Sequence, residues 1–193
     1  MKKYNVGILG ATGAVGQEML KVLGERDFPV GELRLLASSR SAGKVVDTEI
    51  FGSVTIQEAT HDSFGGLDIV LGAAENDISR TFVKDIKASG AVYIDNSSAF
   101  RLDPDVPLVV PEINPEDAFK HNGIIANPNC STIITLVGIN AINKLSPIET
   151  LYASTYQAVS GAGAAGPVEM YAQSEAVMKG EPVEKKVFPY QIA

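Results

Sequence analysis

Little cysteine, little histidine and no surplus of positive charge narrow what this chain can be. One cysteine in 193 residues excludes an intramolecular disulfide framework and suits a reducing compartment. The two histidines, His61 and His121, and the lone Cys130 do not make a zinc-ligand spacing. A formal net charge of −7 argues against bulk attraction to nucleic acid or to an anionic membrane. No uninterrupted apolar run reaches the length that spans a bilayer. The N-terminus, Met1-Lys2-Lys3-Tyr4-Asn5, enters a strand pattern and not a signal-peptide core. The cytoplasm is therefore the expected location. Repeats and low-complexity segments are also missing. What remains is 45% hydrophobic and 20% charged, the make-up of a soluble globular protein with a sizeable core.

Strands and helices alternate along the first two thirds. Val6-Gly7-Ile8-Leu9 reads as a buried strand, and Val15, Met19, Leu20, Val22 and Leu23 trace a helix after it. Leu33–Ala37, Leu67–Leu71, Ala91–Asp95 and Gly123–Ala126 read as further strands, with Leu108–Val110 a short one before Pro111. Lys44 to Glu58 looks like a small hairpin, and Ile78, Phe82, Val83 and Ile86 mark a second helix. This pattern predicts a Rossmann-like α/β fold, a doubly wound parallel sheet covered on both faces. The character changes later. A helix over 131–144 is followed by a strand candidate, Glu149 to Val159, and then by the glycine-rich run Ser160–Gly166. Pro167 suits the first position of a helix continuing through Val168 to Met178. The change in character sets an expected domain boundary near 128.

Two places carry chemistry. Gly10-Ala11-Thr12-Gly13-Ala14-Val15-Gly16 joins the first strand to the first helix, where glycines let the backbone approach a pyrophosphate and the helix N-terminus meets its charge. The second strand ends in Ser38-Ser39-Arg40-Ser41 with no carboxylate until Asp47. A guanidinium among hydroxyls fits the 2′-phosphate of NADP better than the ribose hydroxyl of NAD. The other place is Asn127-Pro128-Asn129-Cys130-Ser131-Thr132, between a strand and a helix. A cysteine at a helix N-terminus is placed where the dipole favours thiolate, which attacks carbonyls and holds a thioester. The alternative for Cys130 alone is a small buried hydrophobe.

With these motifs in place, the sequence resembles aspartate-semialdehyde dehydrogenase. The resemblance rests on Val6–Gly13, Ser39–Lys44, Asp95–Arg101, Val109–Asn114, Asn127–Thr132 and Ser154–Gly163, in that order. It implies reductive dephosphorylation of aspartyl 4-phosphate by NADPH, in the biosynthesis of lysine, threonine, methionine and diaminopimelate. It implies Cys130 as nucleophile, Arg101 holding the phosphate, and Asn129 and Gln157 placing the substrate. Gly10, Thr12, Gly13, Ala14, Val15, Arg40, Ser41, Ser160 and Gly161 are the implied cofactor contacts. The resemblance also implies that 1–128 is the NADP-binding domain and 129–193 the beginning of an α+β substrate and dimerisation domain, and it implies a homo-oligomer, dimer or tetramer, for the full-length enzyme.

Read without the resemblance, Arg101 is a surface arginine paired with Asp103 or Asp105, and Gln157 an ordinary polar strand residue. The loop Gly72-Ala73-Ala74-Glu75-Asn76 departs from the small Ser/Ala-Gly sequence usual in the family. Family members are longer, and their catalytic histidine and substrate-carboxylate arginine lie beyond residue 193. Neither His61 nor His121 matches that base. The chain thus reads as the N-terminal part of the enzyme. The alternatives are an NADP-binding fragment without turnover of its own and the sister activity on N-acetyl-glutamyl phosphate.

Overall fold

The computed structural model describes residues 2–193. Seven strands, β1 (Tyr4–Leu9), β2 (Val30–Ala37), β3 (Val45–Thr48), β4 (Gly52–Glu58), β5 (Ile69–Gly72), β6 (Val92–Asp95) and β7 (Ile124–Ala126), form one sheet in the order β3-β4-β2-β1-β5-β6-β7. Every pairing is parallel except β3 with β4, the expected hairpin. Helices α1 (Ala14–Glu25) and α2 (Asn76–Ala88) are the crossovers, followed by α3 (Cys130–Leu145) and α4 (Ala165–Lys179).

The period of two along β1 and β2 decides which side chain meets which helix. Ile8 and Leu35 turn to one face and pack with Leu20 of α1 and with Ile56. Leu9 and Leu36 turn to the other and pack with Phe82, Val83 and Ile86 of α2, together with Phe64 and Tyr93. Each such buried side chain contributes about 1.5–3 kcal/mol. The sheet is therefore doubly wound, as expected. Helix α1 stops where Asp27 takes φ +48, a left-handed conformation that a short polar side chain tolerates.

The chain goes from β1 to β2 on one side and later returns to β5 on the other, so β1 is flanked by the two strands at which the winding reverses. Ligands in such sheets bind beyond the carboxyl ends of the strands at that point. The candidate site lies there.

Two expected strands are absent. Leu108–Val110 makes a single bridge, Leu108 to Ala126, because Pro107 and Pro111 flank it and proline gives a ladder no donor. Glu149–Val159 has no strand structure; Tyr152 and Tyr156 are fully exposed. Its alternation suits a sheet surface, but a strand needs a ladder partner. Helix α4 begins two residues before Pro167, which the first turn accepts because its N–H groups have no intrahelical acceptor.

By its contacts the chain divides into Met1–Glu149 and Thr150–Ala193, which groups α3 with the sheet. Unexpectedly, α3 buries none of its residues: Ile134 is 73% and Ile142 60% exposed. In the second unit a 3-10 turn over Val159–Ala162 precedes α4. The Glu169 carboxylate accepts from the backbone N–H groups of Lys186, Val187 and Phe188, and the Gln173 amide oxygen accepts from Ile192 N–H. These two helix residues hold the 184–192 segment. Among the described residues no helix is long and apolar enough to cross a membrane.

Candidate active site

The turn after β1 is held to both neighbouring strands. Gly10 and Ala11 donate N–H to the carbonyl of Leu36 in β2, and Ala73 beyond β5 donates to Leu9. Gly10 has φ +88, and a Cβ there would stand 2.7 Å from the carbonyl carbon of Ala73. A Cβ at Gly16 would strike the carbonyl oxygen of Gly10. These two contacts require glycine and bring the first turn of α1 hard against the strand end. No side chain caps α1 and no acidic residue stands in its first turn, so the helix itself does not neutralise that positive end. Thr12, Gly13, Ala14 and Val15 line it and are exposed. This cradle of backbone and open helix terminus fits a dinucleotide pyrophosphate.

Arg40 stands in the exposed turn that follows β2, the strand beside β1. It forms no ion pair among the described residues, and Ser41 N–H closes the turn on Ser38 O at 2.9 Å. The loop Gly72–Asn76, with its unusual sequence, packs its Ala73 and Ala74 backbone directly against Gly10.

Beyond β6 and β7 a second cluster forms. Asn129 is the N-cap of α3, its Oδ1 accepting from Ser131 N at 3.0 Å, and Cys130 is the first helical residue. Cys130 is exposed, not the buried hydrophobe of the alternative reading. Arg101 donates Nε–H to Asn127 O and Nη2–H to Asn96 O, both at 2.9 Å. It does not pair with Asp103 or Asp105. Carbonyls fix the guanidinium without cancelling its charge, so it keeps full attraction for an anion, and Nη1 has no partner among the described residues. Asn127 closes the cluster, donating Nδ2–H to Asn96 Oδ1 at 2.6 Å.

Below this cluster lies a network that the sequence did not reveal. Asp95 is fully buried and accepts from Ser79 Oγ at 3.0 Å and from Ser97 Oγ at 2.6 Å. The single Ser79 proton goes to Asp95, so the Tyr93 hydroxyl donates to Ser79. Burial first, and then the Asp95 carboxylate, push the Tyr93 phenol far above its usual range and keep it a donor. Its signal was available: alternation along β6 puts Tyr93 and Asp95 on one face, and a buried acid demands donors.

Neither histidine belongs to the cluster. His61 pairs with Asp85 near the end of α2, and His121 accepts from Gly123 N–H just before β7. Gln157, Ser160 and Gly161 lie in the second unit, Gln157 in its irregular stretch and the other two in the 3-10 turn, all exposed.

The geometry describes a dinucleotide-binding α/β unit with a cysteine at a helix start beside a braced arginine. The chain belongs to the semialdehyde dehydrogenase family: its NAD binding domain matches residues 5–121 and its dimerisation domain residues 139–193. Among curated relatives, aspartate-semialdehyde dehydrogenase of Synechocystis is 48% identical over 97% of this chain and 55% of its own length. That of Aquifex aeolicus is 49% identical over 98% of this chain and 57% of its own. A crystal structure of aspartate semialdehyde dehydrogenase II from Vibrio cholerae, complexed with ASA, superposes with a TM-score of 0.86 at 45% identity. It is matched over all of this chain and 58% of its own. The chain thus spans a little over half the length of these relatives.

Proposed function

We propose that this chain supplies the cofactor-binding unit and the nucleophile of an NADP-dependent aspartate-semialdehyde dehydrogenase. The observation that carries the reading is the bond from Arg101 to Asn127, which ties the cation to a carbonyl three residues before Cys130. We set the functional border at 128, so that 129–193 begins the catalytic and dimerisation part.

The Cys130 sulfur attacks the acyl carbon of aspartyl 4-phosphate. A C–S bond forms, the C–O bond to phosphate breaks, and inorganic phosphate leaves with the electron pair. Arg101 meets the charge that grows on that leaving group. Asn129 holds the start of α3 in place, and Gln157 offers donor and acceptor to the substrate. Gly10, Thr12, Gly13, Ala14 and Val15 hold the pyrophosphate, and Arg40 and Ser41 hold the 2′-phosphate. Ser160 and Gly161 leave room for the nicotinamide. Bound NADPH supplies the hydride that turns a thioester into an aldehyde. His61 and His121, held by Asp85 and by the Gly123 N–H, are not assigned the role of general base.

The protein assembles as a homo-oligomer, and the exposed apolar side chains of α3, Ile134 and Ile142 among them, are a surface suited to such assembly. The test is phosphate-dependent NADP reduction with aspartate semialdehyde, against a Cys130→Ser control and against N-acetyl-glutamate semialdehyde. Turnover with the first substrate that disappears in the control supports the reading. Preference for the second substrate overturns it.

A further inference from the structure

The segment from Asn96 to Arg101 has no regular structure, yet every residue in it is held. Asn96 N–H donates to Gly72 O at 3.1 Å, and Ser97 N–H and Oγ–H both donate to the Asp95 carboxylate. Ser97 Oγ in turn accepts from Ala99 N–H at 3.1 Å. Asn76, at the start of α2, accepts from Ser98 N–H at 2.9 Å. Arg80 donates to Ala99 O at 2.6 Å and lies over the Phe100 ring, which is buried. Arg101 ends the segment and ties it to Asn127.

We propose that Asp95 is a positioning residue that aims Arg101 at a phosphate through Ser97, the juxtaposition being one buried carboxylate that binds both the backbone and the hydroxyl of Ser97 at the base of the loop. The inference rests on the reading of Arg101 as the phosphate-holding cation. A carboxylate is needed at this point because three donors converge on it: Ser79 Oγ, Ser97 Oγ and Ser97 N. An amide would turn one of its own donors toward one of them. Burying the carboxylate is costly when no cation pairs with it, and no described residue does so. The hydroxyls of Ser79 and Ser97 offset that cost, and the second of them belongs to the loop that carries Arg101.

The experiment measures binding of inorganic phosphate to this chain by 31P NMR titration, with NADP affinity measured in parallel. Hydrogen exchange at the Arg101 Nε–H reports its bond to Asn127. Ser97→Ala removes the shorter, hydroxyl half of the link, keeps the backbone N–H bond to Asp95, and leaves the buried Tyr93–Ser79–Asp95 chain intact. It is expected to lower phosphate affinity about tenfold, as loss of an oriented charge-assisted contact does. Exchange at Arg101 Nε–H should speed up, NADP affinity should hold, and Ser97→Thr should restore both losses. Asn76→Ala, at the exposed end of the loop, should act in the same direction and serves if Ser97→Ala fails to fold. Equal phosphate affinity in wild type and variants overturns the inference alone. An equal fall in phosphate and NADP affinity marks a general structural role and also overturns it. No phosphate binding by the wild type removes the phosphate role of Arg101, and the inference with it.

Discussion

Arg101 and Asn127 are joined by a 2.9 Å hydrogen bond, from a guanidinium at the end of the β6 loop to a carbonyl in the β7–α3 turn. The bond links two segments 26 residues apart in sequence and sets the cation beside the helix start that holds Cys130. A carbonyl partner leaves the positive charge uncancelled, which a carboxylate partner would not. That difference separates an anion site from a surface ion pair.

Replacing Arg101 by alanine should therefore weaken inorganic phosphate by about tenfold to a hundredfold, the worth of one or two hydrogen bonds to a charged group. Arg101→Lys should recover little, because an ammonium cannot reach two carbonyls in fork geometry. Titration with phosphate measures both. A lysine variant equal to wild type would contradict the bracing role.

Arg40→Ala should weaken NADPH far more than NADH, since only the first carries a 2′-phosphate for the guanidinium. Fluorescence titration of the two reduced cofactors reads the ratio. Equal losses would remove Arg40 from the cofactor site.

Gly16→Ala should lower cofactor affinity and destabilise the fold by about 1–3 kcal/mol, because the added methyl meets the carbonyl of Gly10 and comes within 2.8 Å of Ala11 Cα. A thermal melt checks the second effect. An unchanged melting temperature would show that the turn is looser than this packing requires.

The hold of Glu169 on the 184–192 segment should depend on pH. Burial alone would raise this carboxyl, but N–H donors from Val187, Phe188 and Lys186 outweigh it and keep the group below its ordinary 4.5. With the folded value depressed, the stabilisation is complete above the ordinary value and fades as pH falls through the lowered one. Hydrogen exchange at the amides of Lys186, Val187 and Phe188 should therefore accelerate in acid. Glu169→Gln should show fast exchange at neutral pH as well. Protection that is flat with pH would rule the hold out.

Most of the sheet was legible because its strands are apolar runs punctuated by glycine turns, and the pattern from Val6 to Ala126 admits few other arrangements. The cysteine at a helix start was legible for a similar reason: Asn129 is a capping residue and Ile133 onward repeats with a helical period. The Arg101–Asn127 bond was not, because a side chain reaching a distant carbonyl leaves no local trace in sequence. Glu149–Val159 misled because strand propensity describes a surface that suits a sheet and does not supply the partner. The exposure of α3 was hidden too, since its apolar period shows a need for burial and not what provides it.

Mass spectrometry of Cys130 after exposure to freshly prepared aspartyl 4-phosphate tests the central claim most directly, because acylation requires neither cofactor nor general base. The account predicts an aspartyl adduct on the peptide containing Cys130, with one inorganic phosphate released per adduct and none in Cys130→Ser. Intact acyl phosphate beside unmodified Cys130, or acylation confined to other residues, would contradict it.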